Sequence, residues 1–312
     1  MADALYEQVV AAHRRTLDRL IDRGSVERLR SVYVKAASEV MAKLERLGKG
    51  STGFSHHHLQ MALAQLKAGQ IYIDDQMLGE LNAATREAQV ESLHTLVRNY
   101  KRLEKHFSGH APVLPIEEAA RFAGVIDKSR GSLLRQHKTS IKRYGMAVIE
   151  KAQDAMSVSA ASGETLDDAI GRVHEVVEGE WWQAERIART ESAYAYNSSH
   201  AEGIKEIAKE DVDVWMQWTE FCGPDGAPLD IRVGVDSIAL NGQVAPPGGV
   251  FTMPATAPFP DAKGNTKVDD SLVGKTWEFP PDRPNDRATI LPWKKEWGKP
   301  GWRYKNGRRV PA

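Results

Sequence analysis

Arg189, Thr190, Glu191 and Asn197 stand in the stretch "RIARTESAYAYNSSHAEGIKEIA", residues 186–208. A guanidinium with up to five donors, a carboxylate and a side-chain amide could bind an anion, satisfy buried backbone groups or move a proton. The same stretch reads as a helix, with Ala184, Ala188, Ala195 and Ser199 on a narrow stripe and Ile187, Tyr194, Ala201, Ile204 and Ala208 beside it. Polar chemistry is thus spread through a packing helix.

Other candidates are weaker. His56, His57 and His58 are adjacent, so on a helix they point about 100° apart, whereas zinc-binding helices use i, i+4 spacing. A solvated helix start is preferred. The single cysteine, Cys222 in "EFCGPDG", excludes an intramolecular disulfide and a cysteine-rich zinc site and reads as structural. In "DAKGNTKVDD", residues 261–270, lysines occupy two ligand positions of a calcium loop and the closing glutamate is missing. The sequence contains no GxSxG, no Gly-rich phosphate loop and no HExxH, so neither catalytic residues nor a cofactor are expected.

The segment 292–312, "PWKKEWGKPGWRYKNGRRVPA", holds seven basic residues against one acidic, interleaved with aromatic rings. Cations that neutralise phosphates and rings that stack on bases suit nucleic-acid binding, and the same composition suits insertion into a protein partner. Candidate contacts with DNA or a partner are Lys294, Lys295, Trp297, Trp302, Arg303, Arg308 and Arg309; disorder of the last residues is the plain alternative.

These residues need a frame. With 312 residues, 41% hydrophobic and 27% charged, the chain has room for about two globular domains, and its 42 basic and 42 acidic residues cancel. Net charge therefore nominates no partner. The N-terminus is an amphipathic stretch without an apolar signal region, and no run is long enough to span a bilayer, so no membrane association is expected.

Helical periodicity runs over residues 3–47 with a break and restart at Gly24 and Ser25. It continues over a short helix from Ser55 to Leu66, a longer one from Tyr72 to His106, and another from Ile116 to Val158 with an interruption at Gly131. "SGHAPVLP" reads as a linker, and Thr165 three residues before Asp168 reads as a capping box for a helix that Gly179 ends. After Glu210 the pattern changes. "VDVWMQWTEF" alternates like a strand, Asn241-Gly242 signals a hairpin, and frequent Pro and Gly exclude long helices.

The expected fold class is α+β, mainly helical over the first two-thirds, with a smaller, loop-rich C-terminal module of short strands. Its expected blocks are a helical body at 1–110, a linker with helices at 111–163, a helix with a short-strand module at 164–293, and the basic tail at 294–312. Charge is segregated: seven basic and one acidic residue lie between Arg121 and Arg143, five basic and eleven acidic between Glu164 and Glu210. These stretches could attract each other or separate partners; solvated faces of neighbouring helices are the preferred reading, because exposed pairs contribute little.

The stretch "EWWQAERIARTESAYAYNSSHAEGI", residues 180–204, resembles the phage head morphogenesis family, the minor head proteins similar to protein F of phage Mu. The likeness lies in Ile187, Ala188, Arg189, Thr190, Glu191 and Asn197, with Gly163 and Thr165 upstream. Downstream follow Trp215 and Trp218, Asp230 and Arg232, Asn241-Gly242, and "PPDRPNDRATILPW" at 280–293, in the family's order. Many members carry a histidine and a Cys-Arg-Cys that look like metal ligands; here those neighbourhoods hold Asp236 and Asp286, Arg287, Ala288, so no family-like zinc site is expected. Residues 1–110 carry no signature.

The resemblance implies a structural, non-enzymatic minor head protein, found in the virion head and, during assembly, in the host cytoplasm. Its implied partners are the portal protein, the major capsid or scaffolding protein, and packaged DNA, with ejection alongside the DNA. Arg189, Thr190, Glu191, Asn197, Arg232 and Arg287 would latch the helix to the irregular module, whose buried backbone groups need partners. A nucleic-acid-binding virion protein is one alternative. An ADP-ribosyltransferase-like effector is another, disfavoured because Arg189, Thr190 and Glu191 are adjacent on one helix rather than on separate strands.

Overall fold

Apolar residues at helical spacing carry the first two-thirds of the chain into long helices, and short alternating stretches carry the last third into strands. The protein is α+β. The computed structural model describes residues 2–48, 56–220, 222, 228, 233–281, 286, 288–297 and 301–312. Helix α1 (Ala2–Arg19) passes through a π-helical segment (Leu20–Val26) into α2 (Glu27–Gly48), followed by α3 (His56–Phe107), α4 (Ala119–Ala161), α5 (Leu166–Gly179) and α6 (Trp181–Ile207). No described helix is long and apolar enough to cross a membrane.

Three expected breaks are absent. At Gly24 and Ser25 the helix widens instead of stopping, because Ser25 and the flanking Ile21 and Val26 are buried and their packing outweighs the roughly 1 kcal/mol glycine penalty. Between Leu66 and Tyr72 the helix continues through Gly69. A Cβ there would meet Val40 Cγ1 of α2 at 2.5 Å, so this glycine lets two helices approach rather than ending one. Gly131 likewise sits within continuous α4.

Local signals fare better around α5. Thr165 Oγ1 accepts from the Asp168 amide at 3.2 Å and Asp168 Oδ2 accepts from the Thr165 amide at 3.1 Å, forming the reciprocal cap. The helix ends at Gly179 and buries Leu166, Ala169, Ile170, Val173 and Val177.

The C-terminal part contains β1 (Trp215–Thr219), α7 (Val235–Leu240), β2 (Val244–Ala245), β3 (Phe251–Thr252), β4 (Thr276–Trp277), β5 (Thr289–Trp293), β6 (Trp302–Lys305) and β7 (Arg308–Pro311). Strand β1 lies between antiparallel β2 and β5, with Trp218 opposite Ile290. Pairs β3–β4 and β6–β7 are separate two-stranded ladders.

Asn241-Gly242 does make a turn, but it joins α7 to β2 rather than two paired strands. The Gly242 amide donates to Trp218 O at 2.8 Å and its φ is +77°. The run "IAL" before it is buried on every side, and such a run does not distinguish helix from strand. A tight hairpin occurs instead at Asn306-Gly307, where φ values of +50° and +74° match the primed turn that suits strand twist. Residues 301–312 are therefore a folded ribbon, not a loose tail.

The chain forms two compact units, each discontinuous in sequence, where consecutive blocks are the expectation from sequence. Unit 1 comprises residues 1–20, 85–131 and 192–312; unit 2 comprises 21–84 and 132–191. The core of unit 1 gathers Val9, Leu96, Tyr100, Ile204, Trp218 and Trp297, among others, around the sheet. Tyr6 of α1 donates to Gln217 Oε1 of β1 at 2.7 Å, fixing α1 to the strand module. In unit 1 the basic and acidic stretches also meet, through Lys128 and Glu206 at 3.1 Å and Arg121 and Glu210 at 3.9 Å. Unit 2 buries Leu29, Tyr33, Leu66, Met77, Leu133 and Tyr144.

Candidate functional site

Helix α6 contributes to both units, and its motif residues divide accordingly. In unit 2, Arg189 pairs with Glu185, its Nη2 at 2.7 Å from Oε1, and with Asp22. Thr190 Oγ1 donates back to Arg186 O at 2.8 Å within its own helix. Glu191 is buried and accepts from Ser140 Oγ of α4 at 2.9 Å, with His137 Nε2 at 3.7 Å from its other oxygen. Burial raises its carboxyl above the ordinary range despite the hydrogen bonds from Ser140 and Gln136.

The expected latch thus needs correction at two positions. Arg189 and Glu191 face helical neighbours of unit 2 rather than the strand module, because their turn of α6 packs among helices. Arg232 and Arg287 lie outside the described residues.

Asn197 does what the latch requires. It is fully buried in unit 1, donates through Nδ2 to Ala288 O at 3.1 Å, and accepts at Oδ1 from Thr289 Oγ1 at 2.8 Å and from the Ile290 amide at 3.4 Å. One amide therefore holds the backbone at the start of β5. Next to it, Asp286 Oδ1 accepts from the Ala288 amide at 3.0 Å, so hydrogen bonds hold this corner.

The amide belongs to a longer buried chain. Thr289 spends its hydroxyl proton on Asn197, so His13 Nε2, 2.7 Å from Thr289 Oγ1, must be the donor there. His13 Nδ1 is then an acceptor and faces Tyr196 OH at 3.4 Å. Ser92 Oγ donates to Tyr196 O at 2.7 Å, which makes His200 Nδ1, 3.1 Å away, the donor to Ser92. The rings of His13 and His200 meet edge-on with centroids 4.8 Å apart.

Both histidines are neutral for a physical reason. Burial pushes His200 down to about 3 and places His13 well below its ordinary value, with His200, Arg14 and Arg98 adding to the effect on His13. Ser92, His13, Tyr196, Asn197, His200 and Thr289 are all fully enclosed, so no substrate reaches them. The arrangement holds α1, α3, α6 and β5 in register.

His13, Ser92, His200 and Thr289 are not singled out by sequence reasoning. A signal exists for His13, which falls on the apolar stripe of Val9, Val10 and Leu17. Asn197→Ala is expected to cost about 2–3 kcal/mol, because it strands the Thr289 hydroxyl and two backbone groups in a closed core. Urea denaturation measures it, and a cost below about 0.5 kcal/mol would remove the latch.

The C-terminal candidates separate into buried and exposed. Lys294 is enclosed, 2.6 Å from Glu104 Oε1 and 2.5 Å from Asp211 Oδ2, with its ammonium over the rings of Tyr100 at 5.7 Å and Trp297 at 5.5 Å. Tyr100 OH also donates to Asp211. Burial works to raise the Asp211 carboxyl, yet Lys294 and Tyr100 hold it below its usual range. Trp297 is fully buried. Neither Lys294 nor Trp297 is open to DNA or a protein partner, because core burial and ion pairing take both.

Trp302 donates through Nε1 to Asn241 O at 2.9 Å and carries the Arg309 guanidinium 3.6 Å above its ring. Burial lowers Arg309 to about 10. Lys295, Arg303 and Arg308 are exposed.

Two grooves lie elsewhere. One of about 230 Å³ in unit 2 is bordered by Arg30, Tyr33, Met41, His174 and Trp181; one of about 620 Å³ in unit 1 runs along Asn265–Asp270. In that loop Asp261 spends its carboxylate on the amides of Lys263 and Asn265, as a turn stabiliser. Compared with protein-family models, curated proteins and solved structures, the chain matches none of them.

Proposed function

We propose that this protein is a structural minor head protein that acts in phage capsid assembly, docking at the portal or the inner capsid and leaving with the DNA. The observation that carries this reading is the ordered set of sequence features from the "IARTE" helix through Trp215 and Trp218, Asn241-Gly242 and "PPDRPNDRATILPW". Their placement supports it: in unit 1, Asn197 of that helix bonds the backbone at 288–290, within the last of those features. The partners are the portal protein and the major capsid or scaffolding protein, with the virion head as the location before ejection.

A scaffold role also suits the chemistry of the motif. Its polar side chains are engaged in internal hydrogen bonds and ion pairs, which suits holding a fold. Quantitative mass spectrometry of purified, DNA-filled heads, calibrated to the portal subunit, tests the reading. A low, reproducible copy number is the expected result. Absence from heads in cells that express the protein would overturn it.

A further inference from the structure

The β6–β7 ribbon concentrates cations on one side. Cross-strand partners are Arg303 with Val310 and Lys305 with Arg308, while Trp302, opposite Pro311, and Arg309 alternate to the other face. The second face is anchored: Trp302 bonds Asn241 O, and Arg309 lies on Trp302 and donates to Ala239 O at 3.4 Å. The first face therefore presents Arg303, Lys305 and Arg308, all exposed.

Among the described residues nothing offsets these charges. No acidic residue follows Glu296 in the sequence, and among the described residues no carboxylate pairs with Arg303, Lys305 or Arg308. Lys305 and Arg308 stand directly opposite each other, an arrangement that is unfavourable in isolation and favourable once an anion lies across both. Arg303 is held 4.8 Å over the Trp215 ring, which limits the freedom it would lose on binding.

The rings select the mode of binding. Trp302 is covered by Arg309, Trp215 by Arg303, and Trp297 is buried, so these indoles do not offer open faces on which unpaired bases could stack. Cations set beside covered indoles suit an intact phosphate backbone. We infer that the face formed by Arg303, Lys305 and Arg308 on the β6–β7 ribbon binds the phosphate backbone of duplex nucleic acid without sequence preference. This site stands independently of the head-assembly reading, since it needs only the purified protein.

The test is titration of the full chain with a random-sequence DNA duplex over about 50 to 200 mM salt. Three phosphate contacts give a slope of log affinity against log salt of about −2.7, so affinity falls about 40-fold over that range on their account. The triple variant Arg303→Ala, Lys305→Ala, Arg308→Ala is expected to lose that share of the slope. Arg303→Lys with Arg308→Lys is expected to keep it. Should the triple variant melt early, Lys305→Ala alone is read instead, with a slope smaller by about 0.9.

Four outcomes overturn the inference: an unchanged slope in the alanine variants, binding to single strands with none to duplex, equal competition by a polyglutamate, or loss of the slope on Arg135→Ala, Lys138→Ala and Lys142→Ala of α4 instead.

Discussion

Lowering the pH from 7 to 5 is expected to remove about 2 kcal/mol of stability through buried His200, with His13 adding to the loss. His13 and His200 both titrate far below the 6.5 of a free imidazole, His200 at about 3. Below pH 6.5 the unfolded chain therefore binds more protons than the native one. The stability these groups contribute is complete above the unfolded value and is lost as pH falls toward the native values. His200 contributes about 2 kcal/mol over the roughly 1.5 units between 6.5 and 5 at about 1.4 kcal/mol per unit, and His13 acts in the same direction.

Against a total stability of about 5–15 kcal/mol, the effect is large. Asp74, raised by burial to about 6, binds its proton within this window and offsets part of the loss, so the histidine share is read by comparison with a variant. The check is urea denaturation at pH 7, 6 and 5 of the native sequence and of His200→Gln, whose amide can still donate to Ser92. The difference between the two should shrink by about 2 kcal/mol on going to pH 5. Parallel pH dependences in the two proteins would show that His200 is accessible to protons in the folded state.

The adjacent residues Lys294 and Lys295 should behave very differently. Lys294→Met is expected to cost about 3 kcal/mol, since it leaves Glu104 and Asp211 facing each other without a cation. This is the low end of the range for breaking a buried pair, because the Asp211 side chain retains 27% exposure to water. Lys295→Met removes an exposed charge and should fall within about 0.5 kcal/mol of the native sequence. Thermal denaturation of the pair of variants decides the matter. Equal midpoints would mean that the ion triad holds nothing, and would return Lys294 to the set of surface cations.

That pair also marks the limit of what the sequence reveals. "WKKEW" gives no sign that one lysine enters the core and the next faces solvent, because the difference depends on Glu104 and Asp211, which are remote in sequence. Thr165, Asp168 and Gly179 were legible because a helix cap is written within a few residues. The α+β class was legible from periodicity for the same reason.

Gly69 reads as a breaker only until Val40 is placed against it. Asn241-Gly242 announces a turn correctly but leaves the element before it open. Within the site, Asn197 could be picked out through the family likeness, whereas its link to His13 runs through Thr289, 276 residues from that histidine, and no local pattern encodes it. Arg189 and Glu191 belong to the same motif yet pair with Asp22 and Ser140, partners that only the tertiary packing of unit 2 supplies.

The interleaving of the two units bears on how the chain emerges from the ribosome. Every residue of unit 2 has been synthesised once Glu191 is added, so its helices can close while the remainder is still being made. Unit 1 has no such option. Helix α1 reaches its partners Gln217 and Thr289 only after about 200 and 270 further residues have been added. Until then its apolar face, with Tyr6, Val9, Val10 and Leu17, lacks its native cover. A nascent chain stalled before β5 should thus present that helix to chaperones, and no stretch of consecutive residues short of nearly the whole chain contains a complete unit 1.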